Sequence, residues 1–147
     1  MEGGAKRWAR RGPAPWVMRK FLIAAIAVNA LASAPWWVGL LLFPAFRRWF
    51  IPMTTPDSAL LAFALADALL FAGAGITAAY GLMLRRGWAP NLLLIHTGAA
   101  CYAALYTWHQ SIQTGEAWAA AAAMSPSLLI LPYACWLLCP RPGSRFE

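Results

Sequence analysis

Negative charge is scarce in this chain. Five Asp and Glu residues stand against twelve Lys and Arg in 147 positions, and only Asp67 falls inside a long apolar run. With no second acid beside it, the paired carboxylates of general acid–base chemistry are missing. Cysteine is as sparse. Cys101, Cys135 and Cys139 form an odd set inside or at the end of apolar spans, which excludes a disulfide framework. Cys135 and Cys139 are four positions apart, so they are not a Cys-x-x-Cys redox pair, and two sulfurs without a third ligand make no zinc site. His96 and His109 are the only histidines. At about 100° per residue their separation leaves them about 140° away from a common helix face, so stacked haems are not expected. No phosphate-cradling glycine loop, nucleophile elbow or HExxH is present. No cofactor and no metal is expected, and a non-enzymatic role is favoured.

Apolar surface, by contrast, is abundant. The chain is 61% hydrophobic and 12% charged, more apolar surface than a soluble domain of this size can hide. The expected partner is therefore the lipid bilayer. The net charge of +7 does not point to nucleic acid. Half of the basic residues (Lys6, Arg7, Arg10, Arg11, Arg19 and Lys20) directly precede an apolar run, which is the positive-inside pattern and an attraction to anionic headgroups. No nucleic-acid-binding module accompanies them.

The expected class is all-α, an integral membrane four-helix bundle with antiparallel up-down topology. Residues 1–20 read as a basic cytoplasmic arm and 140–147 as a short basic tail. Between them the spans fall at about 21–43, 58–84, 89–113 and 117–138. Ala32-Ser33-Ala34 has the form of a signal-peptidase site, but Pro35 follows directly and the apolar run continues, so an uncleaved span is expected. Pro35, Pro126 and Pro132 predict kinks. In the loop 44–56, Phe46, Trp49, Phe50 and Ile51 interleave with Arg47 and Arg48, the composition of a segment lying in the interface.

Charge sets the orientation. With the N-terminus inside, inner segments hold ten Lys and Arg and outer loops only Arg47 and Arg48, so both termini are expected on the cytoplasmic side. An Ala-, Arg- and Trp-rich composition suits a GC-rich genome, hence a bacterial cytoplasmic (inner) membrane.

The polar residues inside the spans are the candidates for function. Asp67 lies nine positions into its span, about 13 Å down at ~1.5 Å per residue. Tyr102, Tyr106, His109 and Gln113 follow a four-three-four spacing that places them near one helix face, with Tyr102 and Tyr106 at the depth of Asp67. Ser125 falls in the same layer. A polar pocket of Asp67, Tyr102, Tyr106, His109 and Ser125 is expected, with a tyrosine as the hydrogen-bond partner of the acid. A second, deeper layer joins Asn29 and His96. Ala74 with Ala78, and Gly75 with Ala79, repeat at the spacing that lets helices approach closely in lipid. An intramembrane acid points to function. The leading expectation is a non-enzymatic accessory or small-molecule- or lipid-binding protein with its pocket around Asp67. The alternative is a homo-oligomeric transporter or channel subunit, with Asp67 as a protonatable site, or a subunit of a larger membrane partner. A lipid- or quinone-modifying enzyme comes third.

Overall fold

The computed structural model describes residues 16–139. The expected arm up to Pro15 and the tail from Pro140 lie outside the described residues. Helix α1 is Trp16–Leu42 and α2 is Pro44–Phe50. A long second helix follows in three parts: α3 (Asp57–Ala66), a π-helical segment Asp67–Gly73, and α4 (Ala74–Met83). Helix α5 is Ala89–Thr114, α6 is Trp118–Met124 and α7 is Ser127–Leu138. Among the described residues there is no strand.

Local chemistry explains the boundaries. Helix α1 starts at Trp16, ahead of Phe21, so the last residues read as arm are its first turn. Pro44 opens α2 and Pro90 sits in the first turn of α5, where the missing amide costs nothing. Gly115 ends α5 in the left-handed conformation at φ 70°, its amide returning to the Ser111 carbonyl. Pro126 removes an amide between α6 and α7, and the pair is one helix interrupted at Ser125-Pro126. Two cations sit at helix carboxyl ends, where the dipole favours them. Arg19 Nη2 donates to the Leu82 carbonyl at 2.8 Å, and Arg47 donates to the carbonyls of Leu40 and Leu41.

Three helices are long and apolar enough to cross a membrane: Trp16–Leu42, Leu61–Met83 and Trp118–Leu138. Helix α5 has the length, 26 residues, but is not among them. Asn91, His96, Gln110 and Gln113 lower its hydropathy, and it carries the buried polar residues His96, Thr97 and Ser111.

The core lies where α1, α4, α5 and α7 converge, built on Ile26, Ala78, Leu93, Ala100 and Leu131. The small residues make this convergence close. Ala74, Gly75, Ala78 and Ala79 are all buried within the chain. A Cβ placed on Gly75 would lie 2.6 Å from Ala30 Cβ on α1 and 2.7 Å from His96 Nδ1 on α5. Three helices meet at that one position through the side chains of Ala30 and His96, and glycine leaves room for them.

Candidate functional site

The second long helix changes character at Asp67. From Ala74 onward it packs tightly on α5 and α1, whereas α3, before it, makes little contact with any element except the π-helical segment. The π-helical segment lies between the two regimes. Its hydrogen bonds reach one residue further than in an α-helix, as from the Ala74 amide back to the Leu69 carbonyl. Beyond it α3 stands away from α5, and the gap is a cavity of about 540 Å³.

Every long helix contributes to this cavity. Trp36, Trp37 and Leu40 come from α1, Phe63 and Ala66 from α3, and Asp67 and Leu70 from the π-helical segment. Helix α5 supplies one face with Ile95, Gly98, Tyr102, Tyr106 and Gln110, while Ala120 and Met124 of α6 complete the wall. The end of the cavity is formed by Phe50, Ile51, Pro52 and Thr55 with Ala117. A tether joins these last two regions: the Met53 amide donates to Glu116 Oε2 at 2.9 Å.

The acid's partner is not a tyrosine. Trp37 Nε1 donates to Asp67 Oδ2 at 3.1 Å. Tyr106 instead accepts from Gln110 Nε2 at 2.8 Å through its hydroxyl, stacks near Tyr102 at 6.4 Å between ring centroids, and meets Phe63 at 4.9 Å. The reason lies in helix rotation. Asp67 begins the π-helical segment and projects toward α1, whereas the tyrosines are carried by α5 on the far wall.

The structure thus brings Asp67, Tyr102 and Tyr106 to one cavity, which His109 and Ser125 do not line. His109 is exposed. Ser125 is turned to its own neighbourhood, accepting from Trp108 Nε1 at 3.0 Å and donating to the Ala121 carbonyl at 2.7 Å. The cavity face of α5 continues from Tyr106 to Gln110, a full four-residue step, and not to His109. Extending the 102–106 spacing by four would have found Gln110. For Trp37 no such signal exists, because its proximity to Asp67 comes from packing between helices.

The deeper polar residues Asn29 and His96 hydrogen-bond to different partners. Asn29 Nδ2 donates to Ser127 Oγ at 2.9 Å, tying α1 to α7. His96, fully buried, donates from Nδ1 to the Phe71 carbonyl at 2.8 Å and meets the Phe71 ring edge-on. That carbonyl belongs to the π-helical segment and accepts from the Ala74 amide as well as from the histidine, so the ring ties α5 to the segment. Asn29 Oδ1 and His96 Nε2 are both buried without a hydrogen-bond partner.

The three cysteines are free thiols. Cys135 Sγ lies 3.0 Å from Thr97 Oγ1, and Cys139 Sγ is 3.8 Å from the Pro90 carbonyl, so both help join α7 and its C-terminal cap to α5. Among the described residues no group of three or more His, Cys, Asp or Glu converges as a metal ligand set would require. Compared with protein-family models, with curated proteins and with solved structures, the chain finds no match.

Proposed function

We propose that the protein is a small-molecule- or lipid-binding protein of the bacterial cytoplasmic membrane, with its ligand held in the cavity beside Asp67. The observation that carries this reading is the cavity itself. Its volume of about 540 Å³ falls within the roughly 300–1,000 Å³ of ligand pockets, and a mostly apolar lining with a few convergent polar groups is what such pockets have.

A membrane setting is supported by the outer surface. Leu65, Leu69, Leu105, Ile112 and Leu129 are all more than half exposed, far beyond the apolar patch a soluble monomer tolerates. In this reading α5 is the fourth span, its buried His96, Thr97 and Ser111 sheltered by the three more apolar helices, and the chain is an up-down four-helix bundle with both termini cytoplasmic. Binding is preferred over assembly into a homo-oligomeric transporter. The small-residue face that would make the oligomer is occupied within the chain by Ala30 and His96.

The test is native mass spectrometry of the protein released from mild detergent, beside Gly98→Phe, which places a ring in the cavity from a position with open space around it. A monomer carrying a small mass, lost in Gly98→Phe, is the expected result. A ligand-free homo-oligomer would overturn the reading in favour of a channel or transporter subunit.

A further inference from the structure

The lining of the cavity is one-sided in charge. Asp67 is its only acid, and among the described residues no lysine, arginine or histidine lines it. The indole of Trp37 occupies one carboxyl oxygen, and it is a neutral donor that leaves the charge of a carboxylate uncompensated. The walls around that carboxyl are aromatic: Trp36 and Trp37 on α1, Phe63 on α3, Tyr102 and Tyr106 on α5. Phe63, Tyr106 and Tyr102 form a continuous run of ring contacts.

We infer that the cavity takes a lipophilic organic monocation, an amine or quaternary ammonium head on an apolar body, with the head between Asp67 and the aromatic walls. This rests on the binding reading above and specifies its ligand. Each class of ligand meets the lining differently. An anion finds a like charge and no cation to receive it. A neutral apolar molecule fills the volume but leaves a desolvated carboxyl with a single hydrogen bond, an unfavourable state for a charged group. A cation neutralises the carboxyl in a low-dielectric site and gains from the negative faces of the rings, an arrangement that recognises quaternary ammonium groups. The apolar body then has the remaining surface, from Leu40 and Leu70 to Ile95 and Met124, to cover.

The experiment uses the full chain in nanodiscs of zwitterionic lipid. Binding of octyltrimethylammonium, of its uncharged carbon isostere and of octyl sulfate is measured by isothermal titration calorimetry. The wild type is expected to prefer the cation over the neutral isostere by about tenfold or more, with no detectable binding of the sulfate. Asp67→Asn should remove the preference, leaving cation and isostere with the same affinity. Should that variant fail to fold, the charge series on the wild type still decides. Equal affinity for cation and isostere, or a preference for the sulfate, overturns the cation assignment while leaving a binding cavity in place. If none of the three binds, and the Gly98→Phe protein carries the same masses as the wild type, the binding reading itself falls.

Discussion

The indole of Trp37 and the carboxyl of Asp67 meet at 3.1 Å across thirty positions of sequence. This bond fixes the side chain of the one acid within the long apolar runs and joins α1 to the segment where the second helix changes its winding. It also separates the two jobs an intramembrane acid can have, because the geometric role needs only an acceptor oxygen whereas the electrostatic role needs a charge.

Asp67→Asn therefore keeps an acceptor for Trp37 and should change stability by less than about 0.5 kcal/mol, no more than the weakest net hydrogen bond. Asp67→Leu and Trp37→Phe each break the pair. The leucine variant leaves the indole donor unsatisfied, the phenylalanine variant leaves the carboxyl without its bond, and each should cost about 1–3 kcal/mol. Thermal unfolding in dodecyl maltoside measures all three, and an equal loss for Asn and Leu would show that the acceptor is not what matters.

Gly75→Ala tests the convergence of α1, α4 and α5. Its methyl would sit 2.6 Å from Ala30 Cβ and 2.7 Å from His96 Nδ1, so helices must shift. A cost of about 1–3 kcal/mol is expected for such overpacking. Gly87→Ala, in open space, is the control and should melt with the wild type.

Gly98 gives the opposite outcome on the same helix as His96. Nothing lies within 4 Å of a Cβ there, so Gly98→Ala should stabilise α5 by about 0.5–1 kcal/mol through helix propensity alone. Because Gly98 lines the cavity, the larger Gly98→Phe should keep the fold and weaken ligand binding. Loss of binding together with loss of the folded state in Gly98→Phe would remove the distinction.

Topology is read with impermeant thiol reagents on a background in which Cys101, Cys135 and Cys139 are serine. Arg86→Cys, in the turn between α4 and α5, should label only in inside-out vesicles. Met53→Cys, 77% exposed before α3, should label only in right-side-out ones. Labelling of both from one side would contradict the charge-based orientation.

The all-helical class was legible because its signals are local. Apolar runs of span length, prolines in first turns and Gly115 after α5 each act on their immediate neighbours. The closeness allowed by Ala74, Gly75, Ala78 and Ala79 was legible in the same way. The π-helical segment was not, since Ala68-Leu69-Leu70-Phe71-Ala72-Gly73 reads as an ordinary apolar helix and the acid at Asp67 does not by itself signal a wider turn. Within those wider turns His96, from another helix, donates to the carbonyl of Phe71.

What the sequence determined by itself was the all-helical class, with helices long and apolar enough to cross a membrane, and the presence of one acid in an apolar setting. Which groups face that acid was decided by the tertiary structure. A step of one residue turns a helix face by about 100°, so the choice between His109 and Gln110, or between a tyrosine and Trp37, depends on how each helix is rotated against its neighbours. That rotation follows from packing at distant points such as Gly75 and Ala30. The cavity has the same origin, since it exists where α3 stands away from α5, beyond the close contact of α4, α1 and α5.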